Sequence, residues 1–288
     1  MNCLFCHSEN ISEAAYPRPT RFNGKVFSYR QCKDCGLVFI DPLPAKEDYN
    51  KMYEKSYHDE FYFNESPDYS NWFRLFDKFS NEKSIVDYGC GDGSFVKYFS
   101  SKGYKCIGVE YDPVLVERLK KAHPGITFYT VDEFWGTQPS ILFNAIFMGD
   151  VLEHLDAPAD FLEKMMKKIK KGGLIAAQGP LENNGNLALA FRKFTSRVFS
   201  GKGERAMASH VPYHISFSNA ENQEMIFRNA GLTTAYYHVF ESAWPFPAKF
   251  SSSPGNNARH LIAKTSMLLS RMLPGKRGNR FEYVGKKI

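Results

Sequence analysis

Apolar runs alternate with helix-like stretches along most of the chain after residue 83. Short runs such as "SIVDYG", "KCIGVE" and "FNAIFMGD" predict buried strands, and apolar residues three or four apart between them predict helices. The pattern extends the helix "APADFLEKMMKKIKKGG" to Gly173, ahead of the strand "LIAAQGP". Strands and helices in this order predict a doubly wound α/β fold, a mainly parallel sheet with helices on both faces.

Breaks in the pattern divide the chain into parts. Prolines 42 and 44 end a short amino-terminal module, and the aromatic-rich segment that follows has helical spacing. Within that segment Tyr53, Tyr57 and Tyr62 either pack in the core or cover a substrate pocket. We predict an amino-terminal module at 1–44, a helical pre-core segment at 45–80 and the main domain at 81–288.

Two long segments interrupt the main domain, at 181–217 and 243–280. Both are too long to be simple connections, and we expect the first to form a lid over the substrate. The second contains an amphipathic run, 261–273. This run predicts a helix that covers the sheet between its last two strands; contact with a membrane surface is the alternative.

The amino-terminal module contains two Cys-x-x-Cys pairs around an Asn23-Gly24 hairpin signal. The pairs are Cys3 with Cys6 and Cys32 with Cys35. Two such turns can complete a tetrahedral four-thiolate site, which suits zinc and leaves no open position for a catalytic water. We therefore predict a structural zinc ribbon, with a redox dithiol and paired core cysteines as alternatives.

Composition limits the class of protein. The chain has 288 residues, of which 43% are hydrophobic and 24% are charged, as in ordinary globular proteins. The formal net charge of +6 is modest and gathers near the carboxyl end, so we expect no nucleic-acid partner. Since no leader or bilayer-spanning stretch is evident, we expect a cytoplasmic protein without stable membrane insertion.

The stretch "DYGCGDGSF" places three glycines, Gly89, Gly91 and Gly93, between a predicted strand and a predicted helix. A glycine turn at this position lets a ligand approach the backbone closely. The dinucleotide fingerprint needs its third glycine where Ser94 stands. The turn therefore suits a nucleoside without a pyrophosphate.

Four motifs occur in order along the predicted strands. They are the glycine turn after Asp87, the acid Glu110 in "CIGVEYDP", the segment "VDEF" and the segment "MGDVLEHL". In these motifs the sequence resembles the class I S-adenosylmethionine-dependent methyltransferases over about residues 45–288. The resemblance implies a Rossmann-like methyltransferase sheet and S-adenosylmethionine as cofactor.

The resemblance also implies which residues hold the cofactor. The glycine turn would hold the methionine part, Asp132 would contact the adenine amine, and Glu110 would bind both ribose hydroxyls. Two acceptor oxygens on one carboxylate suit such a diol. The implied cofactor-binding residues are Asp87, Gly89, Cys90, Gly91, Gly93, Glu110, Tyr111, Asp132, Glu133 and Asp150.

Candidate catalytic residues lie where the carboxyl edge of the sheet and the lid should meet. His154 stands in "VLEHL" and His214 in "VPYHISF", beside Glu153 and Tyr213 respectively. The resemblance to nucleotide-sugar C-methyltransferases implies that histidines at both places line the active site. We favour His214 as the base for an acceptor hydroxyl. A helix-end hydrogen bond for His154 and strand packing for His214 are the structural alternatives.

The paired cysteines in front of the core narrow the resemblance to sugar and small-molecule methyltransferases. Because the chain lacks the further carboxyl-terminal domain of the C-methyltransferases, we expect O-methylation of a sugar, nucleotide sugar or related small metabolite in surface polysaccharide or secondary metabolite biosynthesis. An RNA methyltransferase that reads RNA through its zinc ribbon is one alternative, although the N-P-P-Y type motif is absent after the fourth strand. A non-catalytic cofactor-binding module is the other alternative.

Overall fold

The computed structural model describes residues 1–52, 68–137, 141–198, 211–243, 245–247, 249–273 and 275–288. The strands are β1 Ile11–Glu13, β2 Thr20–Phe22, β3 Lys25–Cys32, β4 Val38–Asp41, β5 Ser84–Tyr88, β6 Lys105–Glu110, β7 Thr127–Thr130, β8 Phe143–Gly149, β9 Ile169–Pro180, β10 Ser216–Phe217, β11 Leu232–Phe240 and β12 Arg280–Lys287. The helices are α1 Lys46–Met52, α2 Ser70–Phe79, α3 Ser94–Ser101, α4 Pro113–Ala122, α5 Val131–Gly136, α6 Pro158–Lys168, α7 Leu187–Val198, α8 Ala220–Asn229 and α9 Pro254–Met272, with a 3₁₀ turn at Leu152–His154.

The larger sheet has seven strands in the order β7-β6-β5-β8-β9-β12-β11. Strands β5 to β9 run parallel to one another, whereas β12 is antiparallel to both β9 and β11. The predicted mainly parallel sheet is confirmed. The carboxyl ends of β5, β6 and β8 therefore meet at one edge, where open α/β sheets bind their ligands.

The end of α6 differs from the sequence prediction. The helix stops at Lys168 rather than Gly173, and β9 begins at Ile169. Ile169 is fully buried and pairs with Phe143, and Gly172 adopts a φ of +77° within an irregular part of this pairing. Burial of Ile169 in the sheet therefore outweighs the helical pattern of the lysine-rich segment.

The smaller sheet is built mostly from the amino-terminal module. Its order is β1-β3-β4-β10, and β2 pairs with β3. The predicted hairpin is confirmed, because Asn23 and Gly24 both have positive φ angles, as a two-residue type I′ turn requires. Strand β10 comes from the segment 181–217 and pairs with β4, so this segment ties the module to the main domain.

The module and the main domain share buried apolar contacts. Phe5, Leu37 and Phe39 belong to the same buried cluster as Ile146 and Phe281 of the larger sheet. The division at residues 44 and 80 remains a prediction, and Tyr53, Tyr57 and Tyr62 lie outside the described residues.

Helix α9 lies between β11 and β12 in the chain and contacts both β11 and α7. Its buried residues are His260, Ala263 and Ser266. It packs against α7, where the backbone N–H of Ala188 donates to Ser266 Oγ at 3.4 Å. Across the described ranges, every helix falls short of the length or the apolar content that crossing a bilayer requires.

Candidate active site

The glycine turn after β5 has a backbone that other residues adopt only with strain. Gly89, Gly91 and Gly93 have φ angles of +82°, +52° and +75°. A Cβ on Gly89 would lie 2.6 Å from Val151 Cγ2, which is too close for two carbon atoms. Both the conformation and the close approach of the 150–154 loop therefore require glycine at position 89.

Glu110 ties the end of β6 to this turn. Its Oε2 accepts a hydrogen bond from the Gly91 N–H at 2.9 Å, and its Oε1 accepts one from the Tyr111 N–H at 2.7 Å. Asp87 is buried nearby; burial, and then the negative charges of Glu110 and Asp92, raise the pKa of Asp87 well above its usual value. The Glu110 carboxylate fits the ribose of the implied cofactor, and the left-handed glycines beside it fit the methionine part.

The other implied cofactor residues lie at different distances from the turn. Cys90 is buried in it, whereas Tyr111 and Asp132 are exposed at the ends of the neighbouring strands. Glu133 caps α5, since its Oε2 accepts from the Thr130 N–H at 2.6 Å. Thr130 is the N-cap of this helix.

The 150–154 loop connects the glycine turn to a second site. Asp150 has a φ of +53°, which is rare for an aspartate, and accepts hydrogen bonds from Arg280 Nη2 at 2.7 and 2.9 Å. Val151 packs on Gly89, while Asp150, Glu153 and His154 line a cavity of about 820 Å³. The same short loop therefore borders both the glycine turn and the cavity.

The cavity lies between the two sheets. The amino-terminal module contributes Tyr16, Arg18 and Tyr29, and the main domain contributes the carboxyl ends of β8 and β9, helix α7 and the segment before β10. Within the described part of the chain, the buried Tyr29 hydroxyl has no hydrogen-bond partner. The cavity therefore presents polar groups from both parts of the protein.

The two predicted histidines meet in this cavity. Their ring centroids are 4.9 Å apart, with the rings nearly perpendicular. His154 Nδ1 lies 2.8 Å from the Tyr213 carbonyl oxygen, and its Nε2 lies 3.9 Å from Glu153 Oε1. His214 Nδ1 lies 2.5 Å from Glu182 Oε2. The sequence analysis placed all of these residues at the site except Glu182.

The surroundings separate the pKa values of the two histidines. Burial and the charge of His214 lower the pKa of His154 to about 4. Burial also lowers the pKa of His214, but the Glu182 carboxylate outweighs it and raises this pKa to about 9. Burial, followed by the charge of Asp150, raises the pKa of Glu153 to about 8. Near neutral pH His154 is neutral and His214 is held as a cation by Glu182.

The site admits one further kind of chemistry. Ligand atoms of Glu153, His154 and His214 all lie within 4.8 Å of one another. Two imidazoles and a carboxylate at this separation could share a divalent cation. Proton transfer and cation binding therefore have to be separated by experiment.

The sequence analysis missed most of the residues that line the cavity, including three charged ones. Glu182, Arg18 and Arg192 lie in segments without a recognisable motif. Glu182 follows the carboxyl end of β9, where polar residues face the ligand crevice of an open sheet. This position could have identified it as a candidate site residue. The two arginines gave no such signal.

The four paired cysteines come together in the amino-terminal module. Cys3 Sγ lies 3.5 Å from Cys35 Sγ, Cys6 Sγ lies 3.6 Å from Cys32 Sγ, and all four sulfurs lie within 4.8 Å of one another. All four are free thiols. Zn–S bonds of about 2.3 Å in a tetrahedron place sulfurs about 3.8 Å apart, so the cluster fits a four-thiolate zinc site.

Three features define a class I S-adenosylmethionine-dependent methyltransferase fold. They are the strand order of the larger sheet, its antiparallel strand β12 and the glycine turn followed by Glu110. Residues 65–236 match the model of a family described as a methyltransferase domain, and the chain belongs to this family.

Curated relatives match a smaller part of the chain. The mitochondrial ubiquinone biosynthesis O-methyltransferase of Schizosaccharomyces pombe is 32% identical over 97 residues, which cover 32% of this chain and 35% of the relative. Trans-aconitate 2-methyltransferase of Rhizobium etli is 27% identical over 102 residues, covering 34% of this chain and 39% of the relative. The chain thus spans little more than a third of the length of these relatives.

Among solved structures, an S-adenosylmethionine-dependent methyltransferase from Mesorhizobium loti superposes with a TM-score of 0.49 and 14% identity. The match covers 76% of this chain and 97% of that one.

Proposed function

We propose that the protein transfers the methyl group of S-adenosylmethionine to a hydroxyl of a sugar, a nucleotide sugar or a related small metabolite. The observation that carries the proposal is the pairing of His214 with Glu182 in a cavity next to the glycine turn. The cofactor, when bound, supplies an activated methyl group and its leaving group. The protein has to align the acceptor and accept its proton.

His214 is suited to accept that proton. Its Nδ1–H donates to Glu182, so the neutral ring carries its lone pair on Nε2. The Glu182 carboxylate stabilises the imidazolium that forms when the acceptor hydroxyl loses its proton. His154 is oriented by the Tyr213 carbonyl and its low pKa keeps it neutral, which suits a hydrogen bond to the acceptor better than removal of a proton.

The charge of the cavity wall supports an anionic acceptor such as a nucleotide sugar. Arg18 and Arg192 both line the cavity, and the Arg192 guanidinium lies 5.7 Å from the centre of the Tyr16 ring. Burial raises the pKa of Tyr16, and the positive charges of Arg192 and Arg18 oppose this rise, because both guanidinium groups lie close to the Tyr16 hydroxyl. Guanidinium groups bind phosphate and carboxylate groups with high geometric specificity.

The cysteine cluster supports a structural zinc ion in the amino-terminal module. Four thiolates complete its coordination and leave no position for a substrate. The module carries Tyr16, Arg18 and Tyr29 into the cavity. The proposed role of the ion is therefore to hold one wall of the acceptor site.

Three measurements test the proposal. Calorimetry should show binding of S-adenosylhomocysteine, and mass detection over a panel of nucleotide sugars should show an acceptor that gains one CH₂. His214→Asn should lose at least about a hundredfold in kcat with unchanged S-adenosylhomocysteine affinity. His238→Asn, at a half-exposed site on β11, is the matched control and should keep full activity.

Turnover assays with a chelator distinguish proton transfer by His214 from catalysis by a bound cation. If EDTA abolishes turnover and a divalent cation other than zinc restores it, the acid–base assignment of His214 is wrong. Full activity of His214→Asn would have the same consequence.

A further inference from the structure

One side of α9 presents apolar side chains to solvent. Leu261, Leu268 and Met272 are between 56% and 71% exposed. Their spacing of seven and four residues places them on one face of the helix. The residues that α9 buries lie on the opposite face: His260, Ala263 and Ser266. A surface helix normally keeps apolar residues toward the core, so an apolar stripe on the outer face indicates a contact with something else.

The surroundings of this outer face are basic. Lys264 and Arg271 are exposed beside the apolar stripe. The sequence has no aspartate or glutamate from residue 242 to residue 281, nor from residue 183 to residue 198. The face and the neighbouring helix α7 thus combine exposed apolar groups with basic residues, in two stretches of sequence that contain no acidic residue.

Helix α7 extends these properties toward the active site. Phe194 and Val198 are exposed on it by 60% and 56%, while Arg192, Thr195 and Ser196 of the same helix line the cavity. Near the start of α7, the Ala188 N–H donates to Ser266 Oγ of α9. The helix pair therefore carries exposed apolar side chains on both helices, and α7 also forms part of the cavity wall.

The charge pattern selects among possible occupants. A symmetric dimer would place the face against its own copy, so Lys264 and Arg271 would meet like charges with no acid to compensate. A nucleic acid would satisfy the basic residues but would leave the stripe of Leu261, Leu268 and Met272 without a partner. Anionic lipid satisfies both, because acyl chains accept the apolar side chains and phosphate groups accept the basic ones.

We propose that the outer face of α9, formed by Leu261, Leu268 and Met272 with flanking Lys264 and Arg271, docks on an anionic membrane surface. The protein lies on the membrane and does not span it. Since α7 packs on α9 and lines the cavity, docking brings the acceptor site to the lipid surface. The proposal is independent of which acceptor is methylated.

Vesicle co-sedimentation of the full-length protein tests this docking. The wild-type protein should sediment with phosphatidylcholine vesicles that contain about a third phosphatidylglycerol, bind pure phosphatidylcholine roughly tenfold more weakly, and dissociate as salt rises. The double variant Leu268→Ser/Met272→Ser removes apolar contact, and Lys264→Glu/Arg271→Glu reverses charge. Each should weaken binding at least about tenfold.

Val114→Ser is the matched control, because Val114 is 67% exposed on α4, outside the α7–α9 pair. It should bind vesicles like the wild type. All variants change exposed side chains and should keep the wild-type melting temperature.

Three results would overturn the proposal. The first is wild-type protein that stays in the supernatant at low salt, and the second is a Leu268→Ser/Met272→Ser variant that binds as well as the wild type. The third is a dimer in analytical ultracentrifugation that this same variant dissociates, which would assign the face to a second copy of the chain.

Discussion

Replacing Glu182 by glutamine should lower the pH at which His214 loses its proton. The pair joins His214 Nδ1 to Glu182 Oε2 at 2.5 Å, and the carboxylate raises the pKa of His214 from 6.5 to about 9 against the effect of burial. Glutamine keeps an acceptor oxygen but removes the charge, so burial then dominates and the pKa of His214 should fall below 6.5.

The rate of methyl transfer should follow this pKa. If neutral His214 is the base, kcat/KM of the wild type rises with pH until it levels off near pH 9. In Glu182→Gln the rise should occur at least about two pH units lower. The plateau should also be lower, because a base of lower pKa accepts a proton less readily.

Stability gives a second measure of the same pair. Because the pKa of His214 is higher in the folded state than the value of 6.5 for an ordinary histidine, its contribution is complete below pH 6.5 and is lost as pH rises through about 9. At 1.36 kcal/mol per pKa unit, the contribution is about 3 kcal/mol. Urea unfolding should show Glu182→Gln destabilised by about that amount at pH 6 and much less at pH 10.

The assay measures initial rates and urea unfolding from pH 6 to 10 for the wild type, for Glu182→Gln and for a control variant. The control is Glu163→Gln, which removes an exposed acid of α6 and should leave both profiles unchanged. A wild-type profile that is flat over this range would refute the reasoning and favour His154, whose pKa of about 4 produces no change there.

Three further predictions concern the cofactor turn and the amino-terminal module. Gly89→Ala should weaken S-adenosylhomocysteine binding and lower stability by about 1–3 kcal/mol, whereas Gly103→Ala, with the same φ of +82° but open space around it, should leave binding intact in calorimetry. Glu110→Gln should raise the dissociation constant for S-adenosylhomocysteine at least about tenfold, since the charge-assisted hydrogen bonds to the turn are lost. Chelation or Cys35→Ser should weaken acceptor binding while S-adenosylhomocysteine binding survives; equal losses of both would contradict a role limited to the acceptor wall.

Local signals explain what the sequence could predict. The Asn23-Gly24 turn, the strand–helix order and the left-handed glycines are all determined by residues within a few positions of one another. The two histidines could be placed at one edge of the sheet because strand order places polar residues there. Their spatial pairing agrees with that expectation.

Contacts between distant segments explain what the sequence could not predict. Strand β10 has two residues, so it has no periodicity, and it becomes a strand only because β4 offers a free edge. Glu182 meets His214 across a separation of 32 residues. Helix α9 has an amphipathic pattern, which normally indicates the side that faces the core, yet Leu261, Leu268 and Met272 are exposed and the helix buries His260, Ala263 and Ser266 instead.

Some residues that line the cavity lie outside the part of the chain that matches the methyltransferase-domain model. Arg18 and Tyr29 lie outside the region that matches the family model, which begins at residue 65. The alignments with curated relatives span only about a third of the chain, so their substrates do not identify this one. The walls of the cavity come from both sheets, and β10 fixes one sheet to the other. A change in the amino-terminal module should therefore alter acceptor choice without altering the glycine turn, and the acceptor has to be found by testing ligands that suit Arg18, Arg192 and the His214–Glu182 pair.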